Sequence, residues 1–346
     1  MQPLKRTGVK PVPTEKPNIW CRARVYPGPR RRRAPGAWAV FPLLVILAAA
    51  AGAEAATYRD ELTFLGKTKY FFREYALVVP LDLKRQTLPG EVHLEIKAWG
   101  AWNGSWIPYI YEAIDVPGAL PEDLNGIMAR YRQVKRETHL DVQKGADNRF
   151  ALRHEKDGSR FELRANAFTP RVELENPEGR LTLGMSDGEL NLKGHQVSGR
   201  VVFGMLTPGR EAQGSGRYGL YDHFTLQLPS GAVLVIYHSR NRPGYNLATL
   251  MTPDAKGDRQ GRTVQVAWRN PWSDTETGRS VPAAWTVNAP EIGIKADLEE
   301  WGRNVSRYKT DTGKMAIFVS AMVRGSLELD GAKVQVFGLN THVQDE

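Results

Sequence analysis

Cysteine is nearly absent: the 346-residue chain has a single one, Cys21. It lies in an N-terminal segment that we expect to be removed, so the remaining chain has neither a disulfide nor a thiol for catalysis or metal binding. Such a chain depends on its hydrophobic core for stability. With about 290 residues it can bury roughly 70–75% of the surface that its unfolded form exposes, so it needs no covalent cross-link.

A surplus of one charge sign is also lacking outside the first 55 residues. The formal net charge is +9, but residues 1–55 contain ten basic and two acidic residues, a net of +8. The other 291 residues contain 37 basic and 36 acidic side chains, a net of +1. Because non-specific nucleic-acid binding comes mainly from phosphate neutralisation, this near-neutral body argues against nucleic acid as a partner.

The basic N-terminal segment has the order of a secretory signal. A basic run, an apolar run and a small-residue cleavage motif follow one another at Arg30–Arg33, residues 37–51 and Ala53–Ala55. We therefore expect cleavage after Ala55 and a periplasmic or secreted protein. The alternative is a retained membrane anchor, but Pro42 and the short aliphatic stretch favour cleavage, which leaves no stable membrane span.

Motifs of several enzyme classes are missing. There is no G-x-S-x-G sequence, which argues against a serine hydrolase. His195, His223 and His342 are far apart and form no H-x-H or H-E-x-x-H pair, so no metal site is expected. Glycines at 214, 216 and 219 fit the dinucleotide-binding pattern, but no helix is predicted after them. We therefore expect no cofactor.

Short alternating apolar runs, broken by turn residues, predict an all-β protein. The clearest runs are Phe150–Arg153, Arg160–Arg164, Gly199–Met205, Tyr221–Leu228, Val233–His238, Thr263–Trp268, Ala316–Val323 and Lys333–Phe337. So many strands suggest a large sandwich or two consecutive antiparallel barrels. We predict a leader over 1–55, an N-terminal β domain over 56–195 and a C-terminal β domain over 196–346, with a boundary near Lys193–Ser198.

One helix is expected, from Pro121 to about Glu137. Apolar residues recur there at the spacing of one buried helix face, at Leu124, Ile127, Met128, Tyr131 and Val134. We expect this helix to pack across the end of a β domain.

Three segments of the C-terminal half resemble the AttH and carotenoid 1,2-hydratase group of lipocalin-like proteins. They are the glycine-rich approach Gly214–His223, the stretch from Trp272 to Trp285 with its Thr-Gly and Pro-x-x-Trp elements, and the closing pair Val323–Gly338. The resemblance implies a lipocalin-like fold with two β-barrel or sandwich halves. It also implies either a carrier of a hydrophobic small molecule, an isoprenoid or a lipid, or a cofactor-free hydratase.

One departure from the group's pattern bears on this choice. Asp222-His223 is followed by Phe-Thr, where the group has Trp-Gly. This difference favours the carrier over the hydratase.

Asp222 is the one acidic residue on an aliphatic strand face that also contains Phe224 and Leu226. If Pro229-Ser230-Gly231 forms a three-residue loop, Asp222 lies opposite His238 in the next strand; a two-residue loop places Ser239 there instead. We favour the three-residue loop, because it pairs aliphatic residues at two consecutive positions.

Two roles for Asp222 remain open at this stage. Burial raises the pKa of a carboxyl group, so Asp222 can be a protonated general acid for hydration of an isoprenoid double bond. It can equally be a structural residue satisfied by a histidine or by backbone amides. The candidate catalytic residues are Asp222, His238 and His223, and the candidate ligand-binding residues are Tyr218, Tyr221, Tyr237, Trp268 and Trp285.

Overall fold

The computed structural model describes most of the chain after residue 56. The described residues are 57–68, 74–85, 91–117, 124–134, 139–156, 159–176, 179–192, 194–208, 220–241, 243–310 and 313–345. The predicted signal segment and the predicted ligand-binding residue Tyr218 lie outside these ranges.

The first ten strands form one antiparallel sheet. In chain order they are β1 (Thr57–Lys67), β2 (Glu74–Arg85), β3 (Glu91–Trp102), β4 (Ser105–Pro117), β5 (Leu140–Lys144), β6 (Phe150–Lys156), β7 (Ser159–Ala165), β8 (Val172–Asn176), β9 (Gly179–Leu192) and β10 (His195–Pro208). Their order across the sheet is β4-β3-β2-β1-β10-β9-β7-β6-β5, and β8 pairs with β9.

Nine of the later strands form a second antiparallel sheet. The later strands are β11 (Leu220–Gln227), β12 (Val233–Ser239), β13 (Leu247–Met251), β14 (Arg259–Gly261), β15 (Gln265–Arg269), β16 (Trp272–Asp274), β17 (Arg279–Val281), β18 (Ala284–Ala289), β19 (Ile294–Lys309), β20 (Met315–Leu329) and β21 (Ala332–Gln344). The order in the second sheet is β14-β13-β12-β11-β21-β20-β19-β18-β15, and β16 and β17 form a separate hairpin. Short 3-10 turns occupy Pro243–Tyr245 and Pro290–Ile292.

The all-β prediction is confirmed, and the strand order decides between the sandwich and the closed barrels that the sequence left possible. Among the described strands, the outermost strands of each large sheet do not pair with each other, so neither sheet closes into a barrel. β10 belongs to the first sheet, so the chain passes to the second sheet between Pro208 and Leu220. Whether the two halves fold independently, and at the predicted boundary, stays a prediction.

The predicted helix exists, as α1 (Leu124–Val134), and its predicted core residue Met128 is fully buried. The helix packs against β5, the strand at one edge of the first sheet. The Asn125 side-chain amide donates to the Lys144 carbonyl at 2.7 Å and accepts from the Lys144 backbone amide at 3.0 Å. Because an edge strand has unpaired backbone groups, this side chain supplies partners for two of them, the amide and the carbonyl of Lys144.

The part of the second sheet formed by β11, β12 and β13 is buried on both faces, which explains the continuous apolar run of β12. Leu234 and Ile236 belong to the core on its inner face, together with Phe224 and Trp285. Val233 and Val235 point the other way, into a cluster with side chains of the first sheet that include Leu183 and Val202. We refer to these as the inner face and the intersheet face of the second sheet.

Each large sheet pairs its first strand in sequence with its last. β1 pairs with β10, and β11 pairs with β21. A strand placed this way has one local partner and one distant partner, so β11 is bonded to β12 on one side and to β21 on the other. The distant partner brings residues from the end of the chain next to Asp222.

Candidate active site

The β11–β12 hairpin has the register predicted for a three-residue loop. Leu226 pairs with Leu234, Phe224 with Ile236, and Asp222 with His238. Gly231 closes the loop with a φ of +80°, a conformation that glycine adopts without steric cost. Asp222 therefore lies on the inner face with His238 opposite it, as the sequence indicated.

On its other side, Asp222 pairs with His342 of β21. Asp222 is 1% exposed and His342 is 0% exposed, so this carboxylate and imidazole are inside the protein. His342 Nδ1 lies 2.9 Å from Asp222 Oδ1, and Trp268 Nε1 donates to Asp222 Oδ2 at 2.8 Å. Both carboxylate oxygens thus have a partner. The Trp268 ring also meets the His342 ring edge-on at 4.9 Å.

Gln344 fixes the proton position on His342. The Gln344 Nε2 group donates to the Ser280 carbonyl at 2.8 Å, so the amide nitrogen, rather than its oxygen, must face this acceptor. The same nitrogen lies 2.8 Å from His342 Nε2. An amide nitrogen only donates, so His342 Nε2 accepts, and the imidazole proton is on Nδ1, from which it is donated to Asp222. We call Asp222, His238, Trp268, His342 and Gln344 the Asp222 cluster.

The neighbours of Asp222 bear on which of its two expected roles the structure favours. Burial alone would raise its pKa, but the interaction with His342 and the hydrogen bonds from His342 and Trp268 outweigh that effect and lower the pKa below the ordinary value of an aspartate. This direction favours the ionised carboxylate, which accepts from His342 and orients its ring.

His238 is the member of the Asp222 cluster with an unused ring nitrogen. The side chain is 9% exposed, and its Nδ1 has no hydrogen-bond partner. Burial lowers the pKa of His238, an effect that the negative charge of Asp222 opposes and the positive charge of Arg240 reinforces. His238 is therefore a neutral imidazole near pH 7, able to accept a proton beside a fixed negative charge.

The two predicted tryptophans line the inner face on paired strands. Trp268 and Trp285 are opposite each other in β15 and β18. Trp268 contacts Asp222, whereas Trp285 is 1% exposed and packs edge-on against Phe224 with ring centroids 5.6 Å apart. The Arg240 guanidinium lies 3.7 Å above the Trp268 ring, at the solvent-exposed side of the cluster.

Three predicted site residues lie on the intersheet face instead. His223 and Tyr237 stack with ring centroids 4.2 Å apart, and Tyr221 is 6.1 Å from Tyr237. The His223 Nδ1 atom is 3.7 Å from Glu61 Oε1 of the first sheet. Because adjacent strand residues point to opposite faces, the structure does not bring His223 together with Asp222.

Sequence reasoning missed His342 and Gln344. They are 120 and 122 positions after Asp222, and no motif in the neighbouring sequence indicates that β21 pairs with β11. The one available signal is the alternation His342, Gln344 in a final strand, which places two polar side chains on the face that also carries Val336.

Two further observations concern other kinds of site. Among the described residues, no three His, Cys, Asp or Glu side chains are arranged to hold a metal ion. No helix within the described ranges has the length and apolar character to cross a bilayer.

Neither family models nor curated proteins give a sequence match to this chain. Solved structures do match its fold. A protein of Nitrosomonas europaea assigned to AttH superposes with a TM-score of 0.52 at 12% identity, covering 89% of this chain and 98% of its own. Kievitone hydratase of Nectria haematococca superposes with a TM-score of 0.53 at 11% identity, covering 84% of this chain and 89% of its own. The chain has the AttH-like, lipocalin-like fold. At this identity the likeness concerns the fold alone.

The lowered pKa of His238 predicts a pH dependence of stability. The unfolded chain takes up a proton at this residue near pH 6.5, whereas the folded chain resists protonation because of burial and Arg240. This stabilising contribution is complete above pH 6.5 and is lost as the pH falls below it. Urea unfolding at pH 7.5 and 5.5 measures the loss, which should be smaller in His238→Gln; an equal loss in both proteins would contradict the prediction.

Proposed function

We propose that this protein is a cofactor-free lyase of the hydratase type, acting on a hydrophobic small molecule at the inner face of the second sheet. One observation carries the proposal: His238, a buried histidine with an unused ring nitrogen, is opposite Asp222 in the β11–β12 pair, and the Asp222 carboxylate is held by two donors. A neutral base next to a fixed negative charge is suited to proton transfer, because the charge stabilises the imidazolium that forms.

The chemistry follows from these two groups. His238 removes a proton from a water molecule as the water oxygen bonds to one carbon of a polarised double bond. The resulting imidazolium then gives its proton to the neighbouring carbon, which restores His238 and completes the addition of water. Asp222 stays ionised throughout and stabilises the imidazolium, while Trp268, His342 and Gln344 hold the carboxylate in place. Elimination of water is the same path in reverse.

This assignment moves the general acid–base role from Asp222 to His238. Support comes from the lowered pKa values of both groups, which leave Asp222 charged and His238 neutral at pH 7. The fold shared with kievitone hydratase is compatible with a hydratase. The leader sequence supports a place in the periplasm or outside the cell, since it has the three parts of an export signal.

Loss of His238 is expected to abolish the activity while the protein stays folded. The protein from residue 56 onward is incubated in ¹⁸O-labelled water with an organic extract of the cells that produce it, and labelled products are sought by mass spectrometry. Wild-type protein should generate a hydrated product that His238→Gln does not, at a rate difference of at least 10²-fold. His195→Gln, a change at an exposed histidine of the first sheet, is the control and should retain activity.

A carrier without catalysis is the second candidate, and one observation favours it. Asp222 and His342 satisfy each other and their neighbours internally, as purely structural groups do. Mass spectrometry of compounds extracted from the purified protein separates the two functions. A bound isoprenoid or lipid without any labelled product supports the carrier, and a labelled product that persists in His238→Gln excludes the proposed mechanism.

A further inference from the structure

Three buried polar atoms on the inner face have no hydrogen-bond partner: His238 Nδ1, Trp285 Nε1 and Asn340 Oδ1. The exposed fractions of these side chains are 9%, 1% and 0%. Buried polar groups in proteins almost always have a partner, because an unpaired one costs free energy. Three in one region therefore need an explanation.

The three atoms belong to side chains around one short segment of β11. Asn340 pairs with Phe224 across the β11–β21 ladder, and Trp285 packs edge-on against the same Phe224 ring. His238 pairs with Asp222, the next inner-face residue along β11. A donor, an acceptor and a ring nitrogen are thus distributed around an aromatic core.

Arg240 supplies a charge at the exposed side of this region. It follows His238 by two positions in the chain and stacks on Trp268 at 3.7 Å. Arg259, by contrast, pairs with the carboxylate of Asp330. No ion pair joins Arg240 to an acidic side chain of the described ranges, and a guanidinium is suited to binding an anionic oxygen.

We propose that the ligand is an oxygenated amphiphile rather than a hydrocarbon. Its anionic oxygen binds Arg240, its hydroxyl or carbonyl oxygens satisfy Trp285 Nε1, Asn340 and His238, and its apolar part lies against the inner-face aromatic rings. A hydrocarbon would leave all three buried atoms unpaired, which a site built for hydrogen bonding penalises. This inference rests on the proposed function for the location of the site and adds the substrate class.

Three probes with one carbon skeleton test the proposal: farnesoate, farnesol and farnesene, which end in a carboxylate, a hydroxyl and a hydrocarbon. Their binding to the protein from residue 56 onward is compared by isothermal titration with cyclodextrin delivery. We expect farnesoate to bind at least about tenfold more tightly than farnesene, with farnesol between them. Equal affinity for the three probes, or no binding of any of them, would overturn the inference.

Two variants assign the preference to the named atoms. Arg240→Gln should reduce the affinity for farnesoate to that for farnesol, whereas Arg324→Gln should leave it unchanged, although Arg324 also stacks on a tryptophan, Trp301, at 3.9 Å. Trp285→Phe retains an aromatic ring and should reduce the preference for farnesol over farnesene. An unchanged preference in both Arg240→Gln and Trp285→Phe would overturn the assignment.

Binding and turnover are scored separately, so the two proposals can fail separately. Selective binding of farnesoate without labelled product from the cell extract leaves the ligand class standing and removes the lyase. A labelled product from the extract, together with a preference for farnesene, retains the lyase and removes the oxygenated ligand.

Discussion

The Asp222→Asn substitution is expected to lower the free energy of unfolding by about 3 kcal/mol. The carboxylate accepts from Trp268 on one oxygen and from His342 on the other. An asparagine amide replaces one acceptor with a donor, so one of these N–H groups must face another N–H inside the protein. His342 cannot escape by moving its proton to Nε2, because the Gln344 amide donates to that nitrogen.

Urea unfolding at pH 7.5, followed by tryptophan fluorescence, measures this effect. Asp330→Asn is the matched control: its carboxylate is exposed and pairs with Arg259, so little change is expected there. A double-mutant cycle with His342→Gln should show strong non-additivity, since each change removes the partner of the other. An Asp222→Asn protein as stable as the wild type would mean that the carboxylate is not held in this way.

The Gly338→Ala substitution is expected to cost at least about 3 kcal/mol, or to prevent folding of the second sheet. A Cβ atom at position 338 would lie 2.0 Å from the Thr225 carbonyl oxygen and 2.8 Å from the Leu226 Cα atom. Both are backbone atoms of β11, so relief requires β11 and β21 to move apart. Because Asp222 and His342 are opposite each other on these same strands, the pair should be lost with them.

Thermal unfolding measures the loss of stability in Gly338→Ala, and the farnesoate titration measures whether the site near Asp222 is lost with it. Gly204→Ala is the control: it lies in a strand of the first sheet, and the atom nearest to its added Cβ is a side-chain atom of Leu183 at 3.5 Å, an ordinary contact. That variant should stay within about 1 kcal/mol of the wild type. Equal stability of the two alanine variants would contradict the strand spacing between β11 and β21.

Local signals in the sequence were enough to predict the register of the β11–β12 hairpin. The three-residue loop and the matched aliphatic residues fixed the pairing of Asp222 with His238, because a shift by one residue would turn Phe224 and Leu226 to the wrong face. The strand runs and the helix near Met128 were predictable for the same reason: their periodicity reflects which face is buried.

The surroundings of Asp222 depend on distant residues and could not be predicted from the local sequence. Burial alone raises the pKa of this carboxyl group, and the opposing effect comes first from His342 on β21 and then from the hydrogen bond that Trp268 donates. The sequence around His342 does not indicate its role, since its position next to Asp222 follows from strand pairing across 120 residues. The choice between closed barrels and open sheets was undecided in the same way, because it depends on which outer strands meet.

The pairing of β11 with β21 has a consequence for biosynthesis. β11 is synthesised more than a hundred residues before β21, its second partner. During translation Asp222 therefore lacks the His342 imidazole that forms a hydrogen bond with its carboxylate in the complete protein. Closing a loop of this length is entropically slow compared with forming the β11–β12 hairpin. A chain that ends prematurely before Ala332 would still contain Asp222, His238 and Trp268, but it would lack β21. Such truncated chains should be recognised by quality-control proteases through the unpaired edge of β11, whereas completed chains resist them.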